Sequence, residues 1–257
     1  MPYSSASLPA QPLTAQPLLI FVGVTGVGKS TTIDELRARE PTLRLLPNRR
    51  ALTDQLIIST LQEADGSPVT PVTDRSERFA YTRRYREQYP GGMAYALSRL
   101  TVEEDDPGLL VFDGLRGANE VRHAANLLPR ACFVMLDAPD WVRVMRLMGR
   151  GDAFDQIALR RSGTAFRPAE THDLFTPEEA YKVEQMVADD PQAQTNLPAK
   201  LEIVRAERRN YDPGATRCAL NEAAKDRALI IDTVQHTPAE AAQVILQALE
   251  QWKVHQP

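Results

Sequence analysis

The sequence predicts an α/β fold: a parallel sheet of about five strands, flanked by helices. Three observations carry that prediction. Five short apolar runs punctuate the chain, helical patterns alternate with them, and three of the runs end at an aspartate (Asp113, Asp137 and Asp232). A continuous apolar run suits a strand buried on both faces, which is the setting of a parallel sheet covered by helices. Strands that alternate with helices imply crossover connections and a doubly wound arrangement.

The first run, 17–24, is rich in β-formers and leads into a glycine-rich turn. Helical patterning over 28–40 follows, then a weaker run at 43–46 closed by Pro47. The remaining runs, 109–112, 131–136 and 228–231, are joined to helical stretches at 116–128, 139–149 and 238–252. The last helix has Ala241, Val244, Ile245, Ala248, Leu249 and Trp252 at helical spacing, behind an N-cap Thr237 and a first-turn Pro238. Two intervals break the alternation. Residues 49–103 and 150–227 are long, polar and helical in pattern. They are expected to be an acceptor-side excursion and a lid or insert, within a single domain over 17–257.

Composition sets the outer limits. The 257 residues are 43% hydrophobic and 25% charged, an ordinary globular balance that argues against global disorder. The net charge of −4 offers no overall basic field for nucleic acid. Two cysteines, Cys132 and Cys218, are too few for a disulfide framework and match a reducing, cytoplasmic compartment. No apolar run is long enough to span a bilayer. Residues 1–16, without a basic start and repeating Pro, Ser, Ala and Gln, read as a disordered tail.

The strongest signal is Gly23-Val24-Thr25-Gly26-Val27-Gly28-Lys29-Ser30, which has the P-loop pattern G-x-x-x-x-G-K-[ST]. Its context is right, with an apolar strand before it and a helix continuing from Thr31. Small residues let backbone N–H groups wrap phosphate oxygens at close range, and the helix N-terminus adds partial positive charge. Lys29 is expected to reach the β and γ phosphates of ATP, and the Ser30 hydroxyl to join a Mg²⁺ shell. The spacing excludes a dinucleotide fold, and the guanine-reading motif of GTPases is absent.

The run 109–112 delivers Asp113 to the C-terminal edge of the sheet, where α/β ligands bind. There a carboxylate can hold Mg²⁺ or take a proton from an attacking hydroxyl. The next residue is Gly114, where many P-loop motor ATPases carry the glutamate that activates water. This favours transfer over hydrolysis.

Gly23 to Thr31, Asp113-Gly114-Leu115-Arg116 and Arg146-Leu147-Met148-Gly149-Arg150 together resemble the P-loop nucleoside and nucleotide kinases, of which adenylate kinase is a familiar member. The resemblance implies a P-loop NTPase fold with a five-stranded parallel sheet, an acceptor-binding excursion and a mobile lid. It also implies that Arg116 meets substrate phosphate, although it falls one position short of the adenylate kinase spacing. Arg146 and Arg150 would open the lid. They share a helix face with Arg143, and a row of guanidiniums suits charge spread over three equatorial phosphate oxygens.

The interval 37–86 holds ten arginines against six acids. This local excess in an acidic chain points to an anionic or nucleotide-like small-molecule acceptor, with Arg49, Arg78, Arg83 and Arg116 as candidate contacts. Two features restrain that reading. Arginine outnumbers lysine throughout, 25 to 5, and Tyr81, Tyr85 and Tyr89 recur at a spacing as suited to core as to base stacking. The expected activity is transfer of the γ-phosphoryl of ATP, with Mg²⁺, to that acceptor. The arginine island also permits a nucleic-acid 5′ end, which the net charge does not favour. The alternative from another class is an ATP-binding module that hydrolyses slowly and switches a partner contact.

Overall fold

The computed structural model describes residues 10–103, 108–149, 171, 173–188 and 190–254. Within them lies a five-stranded parallel sheet. Its strands are β2 (Leu18–Val22), β3 (Arg44–Leu45), β5 (Leu110–Leu115), β6 (Ala131–Asp137) and β7 (Ala228–Asp232), in the order β3-β5-β2-β6-β7. Each expected run is therefore a strand. Every residue of the central β2 is buried, as a strand with helices on both sides requires. Leu18, Ile20 and Val22 face one core cluster with Phe112 and Phe133; Leu19 and Phe21 face the other with Val111 and Val134. Burial of each such side chain stabilises by roughly 1.5–3 kcal/mol, enough to offset the ordering of its own backbone at about 1–2 kcal/mol.

The helices that follow the strands lie close to their expected bounds: α1 (Lys29–Arg39), α6 (Gly117–Leu127), α7 (Asp140–Met148) and α11 (Pro238–Val254). The first excursion carries helices and ends in strand β4 (Thr101–Glu103). In it α2 (Arg49–Leu52) runs through a π-helical stretch (Thr53–Ile58) into α3 (Ser59–Ala64), then α4 (Arg75–Gln88) and α5 (Met93–Ser98) follow. In the second interval the described helices are α8 (Pro177–Val187), α9 (Pro191–Asn210) and α10 (Pro213–Ala223). Helices α7, α8 and α9 share a third hydrophobic cluster of their own, with Val144, Leu147, Val183, Leu197, Leu201 and Val204.

The expected tail over 1–16 needs correction at its C-terminal end. Strand β1 (Ala10–Pro12) pairs antiparallel with β4 (Thr101–Glu103), and Leu13 behind it is 1% exposed in the core. A partner about 90 residues away orders a segment whose composition alone reads as disordered.

Candidate active site

At the C-terminal edge of β2 the chain turns through Gly23–Ser30 into α1, whose first turn carries no acidic residue. Gly26 has φ +86°, and a Cβ there would meet the backbone oxygen of Arg143 at 3.0 Å, so both the conformation and the close approach of α7 require glycine. The N-cap Gly28, at φ +99°, releases the chain into the helix. The exposed Ser30 and Thr31 stand in the first turn, and Thr31 Oγ1 donates to the Gly28 carbonyl at 2.8 Å. Val27 is buried and anchors the loop to the core.

Lys29 is folded inward, donating to the carbonyls of Gly23 and Val24 at 3.0 Å each. Its Nζ lies 3.8 Å from Asp113 Oδ1. Burial lowers its pKa from 10.5 to about 8, opposed by the Asp113 carboxylate and reinforced by Arg116. Asp113 faces the loop from the neighbouring strand. Its register partner is Phe21, and the pairing then slips so that Leu115 stands opposite Val22. This irregularity leaves Gly114 extra, and a Cβ on it would strike the side chain of Arg49 at 2.8 Å. Such bulges re-aim side chains beside active sites. The Asp113 Oδ1 atom is buried and accepts no hydrogen bond among the described residues.

Three arginines surround the loop. Arg143, 2% exposed, donates through Nε to the Thr25 carbonyl at 2.9 Å and pairs with Asp140 at 2.6 Å. Arg146 donates to the carbonyl and hydroxyl of Thr233 at 2.8 Å each, beyond β7, and reaches the Gly26 carbonyl at 3.4 Å. Arg116 stands at the N-cap of α6 with its guanidinium 5.9 Å from the centre of the Tyr211 ring. A carboxylate from α9 joins them. Glu207 accepts from the Thr25 amide at 3.2 and 3.0 Å, from the Thr25 hydroxyl at 2.6 Å, from Arg116 Nη1 at 3.1 Å and from Arg143 Nη2.

The structure thus brings together Lys29, Asp113, Arg116 and Arg146 of the expected set. Arg150 lies outside the described residues. Arg49 reaches the edge of the site, but its guanidinium is held by Glu120 at 2.6 and 2.7 Å and by the Gly114 carbonyl at 2.6 Å. Arg78 is held within the first excursion by Asp54 and by the Val72 carbonyl. Arg83 is exposed on α4. The tyrosine stripe is packing: Tyr85 is 3% exposed, its ring 4.8 Å from that of Tyr89, which stacks on Tyr95. Burial pushes the Tyr85 phenol up to about 12.

Glu207 and Glu120 were invisible to the sequence reading. No motif or spacing in the sequence marks either glutamate. Among the described residues no group of three or more His, Cys, Asp or Glu is arranged to hold a metal. Nor is any helix there long and apolar enough to cross a membrane.

No family model matches the chain. It is 34% identical over 174 residues to the guanylate kinase of Thermobifida fusca (strain YX), which covers 64% of this chain and 82% of that protein. To the guanylate kinase of Corynebacterium efficiens it is 32% identical over 157 residues, 58% of this chain and 78% of that one. The guanylate kinase of Rhodococcus jostii (strain RHA1) is 28% identical over 162 residues, 62% and 76% of the two chains. With its phosphate-binding loop on a five-stranded parallel sheet, the chain belongs to the guanylate kinase family of P-loop phosphotransferases.

Proposed function

We propose that this kinase transfers the γ-phosphoryl group of ATP to the phosphate of GMP, with Mg²⁺. The observation that carries the acceptor is the 34% identity to a guanylate kinase over 82% of that protein's length.

The residues present suit Mg²⁺. Asp113 offers a buried carboxylate oxygen without a hydrogen bond, and Ser30 an exposed hydroxyl, both hard oxygen donors. Held there, Mg²⁺ would neutralise charge on the phosphates.

The chain's own part is positional and electrostatic. Backbone N–H groups of Gly26 to Ser30 cradle the donor phosphates, and Lys29 exchanges the Gly23 and Val24 carbonyls for phosphate oxygens. Arg116, Arg143 and Arg146 supply fixed positive charge where the transferring group becomes most negative. Such pre-organised charge is usually the largest single contribution to catalysis. The test is ATP consumption by the purified chain with GMP, AMP and other monophosphates, with products identified by mass. GDP formation, with consumption strongly dependent on GMP, is expected. ATP turnover that ignores GMP would refute the acceptor.

A further inference from the structure

Thr25 is the third residue of the P-loop, and its amide adjoins those of Gly26 to Ser30, the groups that cradle the donor phosphates. Here that amide, the Thr25 hydroxyl, Arg116 and Arg143 all donate to one carboxylate, Glu207, which is 7% exposed. The donors come from three separate elements: the loop, the β5–α6 turn and α7. An amide, a hydroxyl and two guanidiniums converging from different directions form the donor set of a phosphoryl site. The carboxylate has the right charge sign and two oxygens, but it belongs to the chain itself.

Two further features suggest that this arrangement is displaceable. The Arg116 Nε is buried and without a hydrogen-bond partner among the described residues, so Glu207 leaves part of the donor set unused. Lys29 is meanwhile spent on two loop carbonyls. Glu207 also sits in the last turn of α9, whose apolar face is packed in the cluster shared with α7 and α8, apart from the two clusters on the sheet. Its contact with Thr25 is a polar tie that can be exchanged while that cluster stays intact.

We propose that Glu207 is an internal phosphate mimic. In the nucleotide-free protein its carboxylate occupies the place at Thr25, Arg116 and Arg143 that a substrate phosphoryl group takes, and that group must expel it to bind. The inference rests on the nucleotide-kinase reading above. The phosphoryl group could be the γ-phosphate of ATP or the phosphate of the acceptor, and the two sources are separable.

Because a ligand that must first open its site has its apparent affinity reduced by the open fraction, weakening the plug tightens binding. The experiment measures calorimetric affinities of the full chain and Glu207→Gln for ATP, ADP and GMP. A gain of about tenfold for ATP over ADP assigns the place to the γ-phosphate, and a similar gain for GMP alone assigns it to the acceptor. Either result supports the mimic. Equal or weaker binding of all three by Glu207→Gln overturns it, as does a purely structural tie, which would cost affinity. Should the variant fail to fold, hydrogen exchange on the wild type decides. Saturating ATP or GMP should speed exchange in the last turn of α9; unchanged or slower exchange there with both overturns the proposal. A wild type that binds none of the three nucleotides would refute the kinase reading as well, whereas wild-type binding of ATP and GMP each as tight as the variant's refutes the mimic alone.

Discussion

The arginines around the P-loop and those of the first excursion are the same residue in opposite uses. Arg116, Arg143 and Arg146 come from two different parts of the chain and meet at one loop, where Arg116 and Arg143 share a single carboxylate. In the excursion, Arg49 pairs with Glu120, Arg78 with Asp54 and Arg84 with Asp65, each with a carboxylate of its own. Three guanidiniums from two elements converge on one loop in the first case, with Asp140 and Glu207 among them, and three separate ion pairs are distributed in the second. On the function proposed above, convergence from separate elements, and not density along the chain, is what builds an anion site.

The largest effect should come from the centre of the convergent set. Lys29→Ala should lower phosphoryl transfer by roughly a thousandfold or more while leaving the thermal midpoint close to wild type, because the lost charge acts on the transition state. Single-turnover rates at saturating ATP measure this. Unchanged turnover in the folded variant would remove the loop from the chemistry and erase the distinction between the two regions.

Next come the two ways an arginine can matter. Glu120 is buried, holds Arg49 through both oxygens and accepts from the Arg116 amide at 2.8 Å. Glu120→Ala strands a largely buried guanidinium and should cost about 3 kcal/mol of stability. Denaturant unfolding would register the loss, and a cost within error would mean that the pair is dispensable. Arg146→Lys should behave differently. It loses the fork that spans both oxygens of Thr233, so kcat should fall about tenfold or more with little change in ATP affinity or unfolding. Near-normal kcat would make Arg146 a mere brace of the loop.

The sheet and the loop were legible for a physical reason. Strands buried on both faces must be continuously apolar, and phosphate wrapped by backbone needs small residues at fixed spacing. Arg116 and Arg146 were legible too, through a local pattern next to recognisable elements. Glu207 was not, because its partners lie 182, 91 and 64 positions away and nothing in the sequence around it encodes that meeting. The excursion was legible as helix but not as chemistry. Its charge count reads as an anion site, and only the pairing of Arg49, Arg78 and Arg84 reveals how much of that charge is consumed internally. The β1–β4 pairing was hidden in the same way.

The smallest expected effect is a proton. Burial lowers the Lys29 pKa to about 8, so in the empty folded protein the amine is charged below that pH and largely neutral above it. An unfolded lysine stays charged to about 10.5, so between these values the unfolded chain binds the extra proton and stability rises with pH. Nucleotide binding has the opposite sign. Phosphate favours the ammonium, so above about pH 8 ATP must take up a proton as it binds, and affinity should fall by up to about tenfold per pH unit. Calorimetry at about pH 8.5 in buffers of different ionisation heat counts that proton directly. Lys29→Met should abolish both the uptake and the slope. The Asp113 carboxylate supports the ammonium, so Asp113→Asn should move the onset of the slope to lower pH. The distributed arginines have no such signature, and Arg78→Lys should leave the profile in place. Affinity independent of pH between about 7 and 9, with no uptake, would mean that Lys29 is not desolvated in the empty site.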